Sequence, residues 1–174
     1  MPNMGQIINA HNKKILKENR NIESGKKCNC KKVKCPISDN KNSCRKDNVV
    51  YQAEVKTDKE TKTYIGLTSM EFKQRWYKHR SDFLHKENKD STRLSSYIWN
   101  LKDNNIKFEI KWNIIKKVNP IKNGDKICRL CTSEAELIMK SKDNQLNKRT
   151  EVMNKCKHRN QFLLKNWKKK KTNQ

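Results

Sequence analysis

Seven cysteines and one histidine are the residues of this chain whose types and spacing most directly imply chemistry. Cys28, Cys30, Cys35 and Cys44 fall within 17 residues as C-x-C-x4-C-x8-C, Cys128 and Cys131 stand as C-x-x-C, and Cys156-Lys157-His158 adds two further ligands. An odd number of cysteines cannot pair completely within the chain. The N-terminus lacks the apolar run of a secretion signal, so a disulfide framework is not expected. Metal binding counts differently. Zinc takes four thiolate or imidazole ligands in closed structural sites, and seven cysteines with His158 make two such sites with nothing left over. His11, His79 and His85 have no cysteine neighbours and are poorer ligand candidates.

These ligands need elements to hold them. Residues 1–27 are a polar, basic lead-in, helical or disordered, with a short apolar stripe at Ile7, Ile8, Ile15 and Leu16. Residues 28–47 form a cysteine knuckle too short for a core of its own and in need of a metal staple. The character changes at Asn48. The run from Val49 to Val55 has the β-branched and aromatic content of a strand, a polar turn follows over 57–62, and Thr63 to Leu67 returns as a second strand. Thr68 or Ser69 is then expected to cap a helix whose Phe72, Arg75, Trp76, His79 and Phe83 share one face. A second helix is expected over 92–103, a third strand over 108–114, a loop over 119–127, and a third helix over 132–142. Another helix should pass through the Cys156 region before a basic tail at 166–174.

Composition narrows the function classes. The chain has 174 residues, 42 Lys and Arg against 18 Asp and Glu, and a net charge of +24. That surface repels itself unless a polyanion neutralises it, and nucleic acid is the expected polyanion. Only 33% of residues are apolar, so the core must be modest. No run approaches the roughly 18 apolar residues of a membrane span, which leaves no role for a membrane.

The order of a Tyr-bearing strand, a turn, a Tyr-Ile-Gly strand and a helix with Arg75 and His79 one turn apart resembles the GIY-YIG nuclease family. Tyr64-Ile65-Gly66 matches that family's second signature. Val49-Val50-Tyr51 stands at the first, keeping the Tyr without the Gly, and Arg75 follows Tyr64 by 11 positions. The chain is more specifically similar to the endonuclease region of Penelope-like retroelements. That likeness rests on the knuckle before Asn48, Cys128-x-x-Cys131-x-x-Glu134, Leu146-Asn147-Lys148-Arg149 and Cys156-Lys157-His158. It spans nearly the whole chain. The Tyr-x-Asp-Asp motif of a reverse transcriptase does not occur.

The resemblance implies an α+β fold: a small three-stranded antiparallel sheet flanked by helices, with the nuclease domain over 48–165. It also implies phosphodiester hydrolysis, with Tyr51 and Tyr64 flanking the attacking water and one of them acting as general base. Glu134 would ligate Mg²⁺ or Mn²⁺, a metal that keeps most of its water and suits a lone carboxylate. Arg75 would lower the tyrosine pKa and brace the phosphate. His79 would bind phosphate or relay a proton, and Asn147 would hydrogen-bond a tyrosine or nearby backbone. The implied setting is target-site cleavage in the nucleus, with DNA as partner alongside element RNA and a reverse transcriptase outside this chain. A zinc-stapled nucleic-acid-binding module with a decayed nuclease site is the alternative. A basic RNA-binding protein is a third reading, but it leaves the Tyr–Arg–Glu order unexplained.

Overall fold

The computed structural model describes residues 6, 8–11, 28, 30, 35–37, 43–141, 144–148, 156 and 158. Residues 6 and 8–11 are helical. The rest of the lead-in, the helix expected through the Cys156 region and the tail at 166–174 lie outside the described residues.

Three strands, β1 (Val49–Thr57), β2 (Thr61–Thr68) and β3 (Phe108–Lys117), form an antiparallel sheet in the order β2-β1-β3. Besides the helical residues 6 and 8–11, three α-helices accompany it among the described residues: α1 (Phe72–Leu84), α2 (Arg93–Asp103) and α3 (Arg129–Lys140). The fold is therefore α+β. The β1–β2 turn is tighter than the sequence implied, because the Thr57 hydroxyl and amide both bond the Glu60 carbonyl and strand geometry resumes at Thr61.

β1 is central, and both of its faces are covered. Successive strand residues point to opposite sides, and here each side joins a different core. Val49, Tyr51, Ala53 and Val55 pack with Phe72, Leu94, Ile98, Leu101 and Trp112 beneath α1 and α2. Val50 turns the other way, to Ile65, Val118, Cys128, Leu130 and Ile138 beneath α3. Val49, where the resembled family carries Gly, is a fully buried core residue in regular strand.

The start of α1 differs from expectation. Thr68 ends β2, and its hydroxyl accepts from the Met70 amide instead of capping a helix. The helix begins four residues later, at Phe72, with no side-chain cap. Its first two amides are met from a distance: Phe72 N–H donates to the Lys46 carbonyl at 2.8 Å, and Lys73 N–H to the Cys44 carbonyl at 2.7 Å. The knuckle's last turn thus satisfies donors that every helix start leaves open. An Arg45–Glu71 ion pair at 3.4 Å fastens the same junction. Ile37 forms a bridge to Trp112, and Cys44 is fully buried in the core with Tyr51, so packing runs without a break across residue 48. By contrast, α2 lies where the sequence placed it, and its N-cap Thr92 accepts from the Ser95 amide at 3.1 Å. α3 begins at Arg129, three residues before the expected Thr132.

Candidate functional site

The site forms where β1, β2, α1 and α3 meet. Tyr51 and Gly66 are direct partners in the β1–β2 register. A Cβ on Gly66 would stand 2.5 Å from the Tyr51 phenol oxygen, so only glycine leaves room for the ring. Opposite Tyr51, the β1–β3 pairing slips between Val50 and Tyr51, a bulge that re-aims the strand where the site begins.

The Tyr51 hydroxyl is shared. Arg75 Nε–H donates to it at 3.1 Å, and His79 Nε2 lies 2.8 Å away. Arg75 can only donate to the phenol oxygen, while the direction of the Tyr51–His79 bond follows the imidazole tautomer. His79 is fully buried, and its ring lies 5.3 Å from that of Trp112 and 6.0 Å from that of Phe83. Burial, with the Arg75 and Lys78 charges, depresses its pKa to about 3. At neutral pH it is uncharged, so it is a hydrogen-bond partner and not a cation for phosphate. Its Nδ1 finds no partner among the described residues.

Sequence reasoning expected Arg75 to lower the tyrosine pKa. The pull exists but loses. Burial pushes Tyr51 up to about 12 against the Arg75 charge and hydrogen bond, and the Glu134 charge adds to the rise. Tyr51 is therefore a neutral phenol at pH 7. Tyr64 also interacts with Arg75, and it keeps 8% exposure where Tyr51 has none.

Glu134 is half-buried on α3, close enough for its charge to register at Tyr51. One carboxylate with access to water is a donor set that suits a largely hydrated divalent cation. Glu136 faces away, exposed and ion-paired to Lys140 at 2.6 Å and Lys116 at 3.6 Å. Asn147 grips backbone. Its Oδ1 accepts from Ile65 N–H at 2.7 Å and its Nδ2 donates to the Ile65 carbonyl at 2.9 Å. With Thr63 bonded to Asn144 and Leu146, this segment extends the outer edge of β2.

Both cysteine groups converge. The ligand atoms of Cys28, Cys30, Cys35 and Cys44 lie within 4.8 Å of one another, as do those of Cys128, Cys131, Cys156 and His158, so each set could hold a metal ion. In the first, sulfurs stand 3.5 to 3.6 Å apart. That is near the ~3.8 Å edge of a tetrahedron with ~2.3 Å zinc–sulfur bonds and far from the ~2.05 Å of a disulfide. In the second, His158 Nδ1 sits 3.2 Å from Cys131 Sγ, 3.7 Å from Cys128 Sγ and 3.8 Å from Cys156 Sγ. Burial pushes the Cys44 and Cys131 thiols well above their ordinary range, so thiolates persist there only beside a cation.

The structure thus brings Tyr51, Tyr64, Arg75 and His79 into one cluster with Glu134 beside it, and sets Asn147 behind β2. Trp112, which walls His79, was missed, although the apolar alternation of Ile110, Trp112 and Ile114 on β3 marks it as inward. No family model, curated protein or solved structure matches this chain.

Proposed function

We propose that the chain is a metal-dependent DNA endonuclease of GIY-YIG type that cleaves target sites for a retroelement. One observation carries the reading: a guanidinium and an imidazole converge on the Tyr51 hydroxyl at 3.1 and 2.8 Å, within the field of Glu134. A semi-buried Arg beside two phenols fits a site built to receive an anion.

Each residue then has a task. Tyr64, the phenol that retains exposure, faces the attacking water. Tyr51 remains protonated and holds Arg75 and His79 in place. Arg75 braces the phosphate as charge develops in the transition state. Glu134 would hold Mg²⁺ or Mn²⁺, which supplies Lewis acidity to the phosphate. Asn147 fixes β2, and thereby Tyr64 and Gly66. Zinc at the two cysteine sites serves structure, the net charge of +24 holds DNA, and the setting is the nucleus, alongside element RNA and a reverse transcriptase domain absent from this chain.

Supercoiled plasmid, incubated with and without Mg²⁺, tests this. Nicking is expected only with the metal. Glu134→Ala should abolish it without weakening DNA binding, and Glu136→Ala should leave it near normal. Arg75→Ala should lower the rate by roughly 10²–10³-fold, as loss of a preorganised donor does. Absence of cutting by the unaltered protein, with DNA binding intact, would leave the binding module with a decayed site as the answer.

A further inference from the structure

A second concave feature lies beside the catalytic cluster and takes no part in it. It is a cleft of about 560 Å³ between α1 and β3, within the usual size of small-ligand sites. Trp76, Phe83 and Trp112 supply its aromatic walls, and Arg80 and Lys111 its cationic rim; Cys35 also lines it, and among the described residues Glu109 is the one acidic residue there. The Arg80 guanidinium lies over the Trp76 ring, 5.0 Å from its centroid. Among the described residues Arg80 makes no ion pair. Tyr77, whose ring is 5.1 Å from that of Trp76, extends the aromatic surface outward at 45% exposure.

An Arg stacked on a half-buried indole at the edge of a cleft forms half of a sandwich that accepts a flat partner. Every nucleobase has such a face, and its phosphate needs the rim cations. The location agrees. Arg80 follows Arg75 by five residues of α1, about 7.5 Å along the axis, and Trp112 is the wall shared with His79.

We propose that this cleft holds one unpaired nucleobase of a single-stranded DNA segment running from the cleavage site. The inference rests on the nucleic-acid reading above but not on catalysis.

The test uses the full, zinc-loaded chain carrying Glu134→Gln, in buffer without chelator or added divalent metal. An eight-nucleotide oligothymidylate is compared with an abasic strand of equal length and charge, followed by tryptophan fluorescence. The base-bearing strand should quench emission and bind about tenfold tighter or more, as one stacked base provides. Trp76→Ala should remove most of that preference while keeping the abasic affinity, and Trp76→Phe should restore much of it. Arg80→Ala, an exposed change that leaves the core alone, should also reduce the preference. Equal binding of both strands by the starting protein would overturn the cleft and leave the endonuclease reading standing. So would a preference that survives Trp76→Phe and Arg80→Ala unchanged, together with Trp76→Ala if that variant folds. Failure to bind either strand would overturn the cleft, and the plasmid assay decides the endonuclease reading separately.

Discussion

Gly66 shows how one atom's absence sets up the site. The missing Cβ is the space occupied by the Tyr51 phenol, and Tyr51 in turn anchors both Arg75 and His79. Gly66→Ala must therefore displace the ring or open the β1–β2 register. The expected stability loss is about 1–3 kcal/mol, the usual range for an overpacked core. Cleavage should fall much further, because the Arg75 contact depends on the same oxygen. Urea denaturation alongside the plasmid assay separates the two effects; a variant that keeps full activity would show that the Tyr51 cluster is packing alone. The Tyr-Ile-Gly motif was legible in sequence, but the reason for its glycine was not, since nothing local says which ring lies across the strand pair. The same holds for the phenol's titration. Arg75 was correctly placed near Tyr51, yet depth of burial, a property of the whole core, decides the direction of the shift.

At the scale of elements, local signals succeeded where the cause was local. The β-branched run of β1, the alternation of β3 and the span of α2 each appear where the sequence put them. They failed where the partner is remote. Thr68 has the chemistry of a cap, but its hydroxyl closes its own turn, while α1 takes its first hydrogen bonds from Cys44 and Lys46. The early start of α3 at Arg129 had no preferred capping residue to announce it, since Cys128 stands at its N-cap. Asn147 is a further remote partner, standing in for a strand residue against β2. Replacing it with Ala leaves the Ile65 amide and carbonyl unmet, which should cost about 1–3 kcal/mol. Asn147→Asp keeps the acceptor but sets a carboxylate against the Ile65 carbonyl, so it should not rescue. Amide hydrogen exchange at Ile65 reports this directly, and unchanged protection in the Ala variant would refute the clamp.

At the scale of the molecule, the sheet is a partition. Cys30, Cys35 and Cys44 pack against the core on the Tyr51 side of β1, and Cys128, Cys131 and Cys156 against the core on the Val50 side. Two separate four-ligand groups that could each hold a metal ion predict two zinc ions per purified chain; elemental analysis finding fewer than one would remove both staples from the account. No helix among the described residues is long and apolar enough to cross a membrane. The partition also turns the cysteines into a record of the protein's history. A disulfide needs Cα atoms within about 7 Å, and a folded sheet stands between the two sets. Oxidation of the intact protein can thus link cysteines of one chain only within 28–44 or within 128–156. Any bridge from one set to the other within a single chain, found by peptide mapping of the monomer, dates from a moment when β1 was not in place.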